Sequence, residues 1–128
     1  AAPKAPEIAE TSDTSAILDW DDALSRLEGN TALLAEMVGL FLQEAPGLLR
    51  AMTEALARQD AAELRRAAHT LKGSAQVVGG RALGETALAL ETLARNGELA
   101  AVAERLPQLA QRLAELEPAL KARLADRA

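Results

Sequence analysis

Between Leu34 and Ala55 the apolar residues Leu34, Met37, Phe41, Ala45, Leu48, Met52 and Ala55 recur in steps of three and four. Wound at 100° per residue, such a segment carries one apolar stripe, whereas a strand would scatter the same positions over both of its faces. The rhythm returns in Leu64, Ala67, Ala68, Leu71, Ala75 and Val78, then in Leu83, Ala87, Leu90 and Ala94. It returns again in Val102, Leu106, Leu109, Leu113, Leu116, Leu120 and Leu124. Four one-sided helices must bury their stripes against one another, and short connections favour antiparallel neighbours. The expected fold is all-α, an antiparallel up-down four-helix bundle. Composition agrees: 49% of residues are hydrophobic, yet Trp20 and Phe41 are the only aromatics. Alanine and leucine dominate, which suits closely layered helices better than sheets.

The punctuation sets the boundaries. Asn30 or Thr31 starts the first long helix; Pro46 lies within it and predicts a kink, with a short reset as the alternative. Asp60 and Glu63 form an Asp-x-x-Glu capping pattern, so the second should begin near Ala61 and stop at Gly79-Gly80. The third is expected from about Arg81 to Asn96. The fourth is expected from Glu98 to about Asp126, with Pro107 either kinking it or marking a start near Leu106. Ahead of these, Trp20, Leu24 and Leu27 predict a short N-terminal capping helix ended by Gly29-Asn30, with Trp20 as a lid over one end of the core. Met37 and Met52 read as core filling. Residues 1–15 (AAPKAPEIAETSDTS) have no periodicity and read as a flexible linker, which implies something upstream, and 16–128 form one domain.

Several function classes are disfavoured. A net charge of −5 without a basic run argues against nucleic acid. No apolar stretch stands out as approaching the ~20 residues that span a bilayer, so no direct membrane contact is expected, and the N-terminus carries no signal-peptide pattern. There is no cysteine and one histidine, which leaves only scattered carboxylates for a metal. A reducing, cytoplasmic setting is compatible with this usage.

The one histidine has unusual neighbours. On the helix from Ala61, His69 falls off the apolar stripe and shares the polar side with Arg65, Lys72, Gly73 and Gln76. Gly73 is a costly choice, because glycine inside a helix destabilises it by roughly 0.5–1 kcal/mol relative to alanine. A helical side chain leans back over the preceding turn, so any side chain at 73 would cover His69, and glycine leaves the imidazole open to a bulky partner. A neutral imidazole is a nucleophile toward phosphorus, and Lys72 would stand beside the phosphorylated product as a point charge.

The run His69-Thr70-Leu71-Lys72-Gly73-Ser74 resembles the central motif of histidine-containing phosphotransfer (HPt) domains of bacterial multistep phosphorelays. The resemblance extends from about Ile17 to Leu124 and includes Phe41-Leu-Gln-Glu-Ala-Pro46 and the Leu90-Glu91 pair. It implies that His69 is the phosphoacceptor, taking a phosphoryl group from a receiver-domain phosphoaspartate and passing it to another receiver's aspartate. Lys72 would stabilise the phosphate and Gly73 give steric access. At the position matching Glu91 such domains hold a Gln or Glu that can hydrogen-bond the histidine; the other reading of Glu91 is a solvated charge. Gln76 is a candidate partner contact. Arg65 and Arg66 either solvate the helix or meet the acidic site of the receiver. The resemblance implies a carrier rather than an enzyme, without a bound cofactor and with Mg²⁺ on the partner receiver. It implies a monomer as an isolated domain, the setting being the cytoplasmic C-terminal part of a hybrid sensor kinase, membrane-anchored or not, or a free-standing carrier. Two alternatives remain: the N-terminal phosphotransfer domain of a chemotaxis-type kinase, and a helical module that binds receivers without taking phosphate.

Overall fold

The computed structural model describes residues 16–127, so the linker expected over 1–15 lies outside the described residues. Among the described residues five helices follow in order: α1 (Trp20–Arg26), α2 (Thr31–Ala57), α3 (Ala61–Val77), α4 (Arg81–Arg95) and α5 (Leu99–Arg127). No strand occurs among the described residues. Packing runs α2 on α3, α3 on α4, α4 on α5 and α5 back on α2, a closed ring of four. The links Arg58–Asp60, Val78–Gly80 and Asn96–Glu98 are short, and each joins two helices that pack on one another, as in an αα-hairpin. The core is the stripe set of all four helices, including Leu34, Phe41, Met52, Leu64, Leu71, Leu83, Leu90, Leu109 and Leu116.

Each link uses the same device. After α2, Asp60 N–H bonds the Ala55 carbonyl at 2.8 Å and Gln59 N–H bonds Leu56; after α3, Gly80 bonds Ala75 and Gly79 bonds Gln76; after α4, Glu98 bonds Leu93 and Gly97 bonds Ala94. These are paired 6→1 and 5→2 closures around a left-handed residue, with φ of 57° at Gln59, 85° at Gly79 and 76° at Gly97. The residue that closes one helix also opens the next: Asp60 Oδ1 accepts from Glu63 N–H at 3.1 Å to cap α3. Only half of the expected capping box forms, because Glu63 turns to Arg66 and the Asp60 N–H is already bound to Ala55.

α2 runs as one helix through Pro46, as its in-phase stripe predicts, which excludes a reset there; α5 starts at Leu99 and contains both Pro107 and Pro118, which excludes a start near Leu106. Two other sequence readings are corrected. Val38 is fully buried while Met37 is only half-buried, so the α2 stripe is wider than the three-four pattern indicated. α2 is also long and apolar enough, by length and composition, to cross a bilayer, contrary to the sequence expectation. Its buried residues nevertheless fall on one stripe that faces the bundle, and Glu36 and Glu44 stand exposed on its other sides.

α1 closes one end. Trp20 is buried, with the Arg123 guanidinium of α5 5.4 Å from its ring centre. Asp19 N–H bonds the Gly79 carbonyl at 2.8 Å, and Arg26 donates to the Gln76 carbonyl at 2.7 Å, which ties α1 to the α3–α4 turn.

Candidate functional site

The site lies where α3 and α4 approach through small side chains. Ala68 and Ala75 on α3 and Gly84, Ala87 and Ala94 on α4 are all buried. A Cβ at Gly84 would sit 3.8 Å from the Lys72 carbonyl oxygen and 3.9 Å from Ala75 Cβ, so the two backbones run close. Leu64, Ala67, Ala68, Leu71 and Ala75 take the inward face of α3, which turns His69 outward with its side chain 65% exposed. On α4, Glu91 sits between the buried Leu90 and Ala94 and faces the seam.

That placement buries a carboxylate. Glu91 is 5% exposed, and stripping an ion of water costs several kcal/mol unless it is paired. It is paired three times. His69 Nδ1 lies 2.9 Å from Oε2, Arg95 Nη2 3.3 Å from the same oxygen, and Lys72 Nζ 3.0 Å from Oε1. Lys72 approaches as an ion pair, out of line for a hydrogen bond to Oε1. Burial works to raise the Glu91 pKa, but Lys72 and His69 together outweigh it and hold the carboxyl below its ordinary value. Glu91 is therefore a carboxylate at neutral pH, and a carboxylate only accepts. Nδ1 of His69 is the donor, so a neutral ring keeps its lone pair on Nε2, away from Glu91.

Gly73 is one turn beyond His69, and a Cβ there would meet nothing within 4 Å. Among the described residues nothing requires that glycine. Toward the start of α3, an open depression of about 900 Å³ is lined by Arg65, Arg66, His69, Glu91 and Arg95 among others. Arg65 is exposed; Arg66 is ion-paired with Glu63 on its own helix. Gln76 is exposed but lies outside the depression, toward the capped end, where its carbonyl receives Arg26.

The sequence expectations thus separate. His69, Lys72 and Glu91 come together, Gly73 lies open beside them, Arg65 and Arg66 border the approach on one side, and Gln76 lies on the other. The solvated-charge reading of Glu91 is overturned by its burial. Arg95 was missed, although its i,i+4 spacing from Glu91 was a usable signal.

Comparison with known proteins bears on this arrangement. The family model described as Hpt domain matches residues 36–119. The HPT domain of a sensor hybrid histidine kinase from Shewanella superposes with a TM-score of 0.79 at 21% identity, covering 88% of this chain and 97% of that one. Histidine-containing phosphotransfer protein B from Pseudomonas aeruginosa PAO1 superposes with a TM-score of 0.75 at 28% identity, covering 80% of this chain and 90% of that one. No curated protein sequence matches.

Proposed function

The chain belongs to the Hpt domain family, and on that premise we propose that it relays phosphoryl groups between receiver domains through Nε2 of His69. Membership supports the broader statement, a histidine phosphotransfer carrier in two-component signalling rather than a catalyst with turnover of its own. The finer reading rests on one observation above others: an exposed imidazole whose Nδ1 is held by a buried carboxylate at 2.9 Å. A ring held that way presents one nitrogen, in one orientation, to the outside.

In the proposed step a receiver carrying a phosphoaspartate docks over Gly73. The Nε2 lone pair forms the P–N bond as the P–O bond to aspartate breaks, and the bonding electrons leave with the aspartate carboxylate. The Nδ1 proton stays on the ring, shared with Glu91, which balances the positive charge that develops there. Lys72, with its side chain only 20% exposed, is near enough to follow the incoming negative charge. Reversal of the step on a second receiver returns the histidine to its starting state. Mg²⁺ belongs to the receiver, as does the acidic pocket that Arg65 and Arg66 would face. The proposed setting is cytoplasmic, in a hybrid sensor kinase of the kind named for the Shewanella domain or as a separate carrier.

The test is incubation of the purified chain with a phosphorylated receiver domain, followed by assay for label that is acid-labile and base-stable, as a phosphoramidate is. Wild type should take label and His69→Gln should take none while keeping its fold, since the ring is exposed. Label that persists in His69→Gln would place the acceptor elsewhere. Label obtained only from ATP and a kinase core would point to the chemotaxis-type domain instead, and binding without label to a receiver-binding module.

A further inference from the structure

Arg95 shares one oxygen with the reacting ring. Oε2 of Glu91 accepts from His69 Nδ1 at 2.9 Å and from Arg95 Nη2 at 3.3 Å, whereas Lys72 sits on the other oxygen. Two donors on one carboxylate oxygen compete for its charge, and each weakens the hold of the other. We propose that Arg95 is a positioning residue that acts through Glu91, tempering the pull of the carboxylate on the Nδ1 proton and thereby the basicity of Nε2.

The consequence falls on the balance of the carrier. A more basic Nε2 is a better nucleophile but a poorer leaving group, so a fully committed Glu91 would let His69 accept phosphoryl groups readily and release them reluctantly. A carrier has to do both. Arg95 is suited to setting the balance because its side chain is half-exposed, at 52%, and its contact is longer than that of the imidazole. It therefore draws on the carboxylate without displacing the ring. The other charged groups facing the ring are accounted for. On α3, Lys72 is on Oε1, Arg66 is paired with Glu63, and Arg65 is exposed with no contact to Glu91; ahead of α3, Asp60 lines the same depression and accepts from Glu63 N–H; on α4, Glu91 and Arg95 are the charges of the contact itself.

The inference rests on His69 being the reacting group, but its first readout does not. In ¹⁵N-labelled intact protein at pH ~9, above the usual imidazole range of ~6.5, the Nδ1–H proton should move downfield in Arg95→Gln and stay near its wild-type position in Arg95→Lys. In a Glu91→Gln background, Arg95→Gln should move it no further. Arg65→Gln, which removes a cation that does not touch Glu91, should leave it in place. The second readout is the transfer equilibrium with a receiver domain. It should shift toward phosphohistidine in Arg95→Gln by roughly 1.5- to 5-fold, the range of an exposed ion pair, with no such shift between Glu91→Gln and the double variant. An unmoved proton in Arg95→Gln, or effects of equal size in the Glu91→Gln background, would overturn the proposal. Failure of wild type to take label would sink the relay reading alone, and the proton resonance would still decide the role of Arg95.

Discussion

Gly73 and Gly79 lie six residues apart around the end of one helix, and the protein uses them in opposite ways. A Cβ at Gly79 would stand 2.5 Å from the Asp19 carbonyl oxygen, on a backbone with φ of 85°. Its neighbour Gly80 is crowded less rigidly, by the movable tip of a side chain, with Leu116 Cδ2 2.5 Å from the place a Cβ would take. These glycines answer to contacts inside the chain: Gly79 to the left-handed closure of α3 and the seat of α1, Gly80 to the packing of α5. At Gly73, in regular helix, the space is empty. One glycine is explained by what it touches and the other by what it leaves free. A costly residue with no internal reason marks the place where something outside the chain has to fit.

The largest effect should come from the end of α3. Gly79→Ala meets both the left-handed penalty of roughly 1–2 kcal/mol and a clash with backbone that has no flexible end to yield. A loss of about 2 kcal/mol or more is expected, read as a Tm lower by several degrees. Far-UV helicity below the transition should be retained, since the four long helices do not depend on α1 for their stripes. If Gly79→Ala melted with wild type, the confinement described for this turn would be wrong, and the contrast with Gly73 would lose one side.

Gly73→Ala should go the other way. The added methyl meets nothing and removes a helix-interior glycine, so stability should rise by roughly 0.5–1 kcal/mol. Gly73→Arg should share most of that gain while transfer from a receiver falls sharply, because the long side chain lies back over His69. A Gly73→Arg variant that transfers at the wild-type rate would show that the open space is not used. A fall in stability for Gly73→Ala would show that the glycine has an internal role after all.

How much of this was legible beforehand follows from the same contrast. The helices, their order and most of their ends were written in local signals: apolar spacing, Asn30 and Asp60 as caps, Gly79 and Gly97 as left-handed stops. His69 on the polar side of its helix and the oddity of Gly73 were also local. Two readings were not. The depth of Glu91 depends on how closely α3 and α4 approach, which is set by Gly84 and the alanines of both helices taken together and by no one segment. The left-handed Gln59 gave no warning, because its type does not ask for that conformation and only the closure onto Ala55 and Leu56 imposes it. Pro46 was legible too: a local signal for interruption is outweighed by a stripe that stays in phase on both sides, so the helix continues through it as that stripe predicts.

The smallest effect at neutral pH, and the most diagnostic one across pH, concerns Glu91. Its folded pKa is depressed, with burial opposing and the Lys72 and His69 contacts prevailing. The sign follows directly. A depressed carboxyl contributes stability that is fully present above its unfolded pKa of ~4.3 and is lost as pH falls through the lower folded value. Wild type should therefore be more stable than Glu91→Gln at pH 7, because the amide keeps a hydrogen bond to the ring but leaves Lys72 and Arg95 without their counter-charge. The gap between the two Tm curves should narrow as pH is taken below the ordinary carboxylate range. Glu115, whose pKa is lowered chiefly by its hydrogen bond to Arg112, titrates in both proteins and cancels in the difference. Parallel curves down to acid pH would mean that Glu91 gains nothing from its cations. The buried carboxylate would then be a cost carried by the fold solely to hold one nitrogen of His69, and the contrast drawn from the two glycines would extend to a charge.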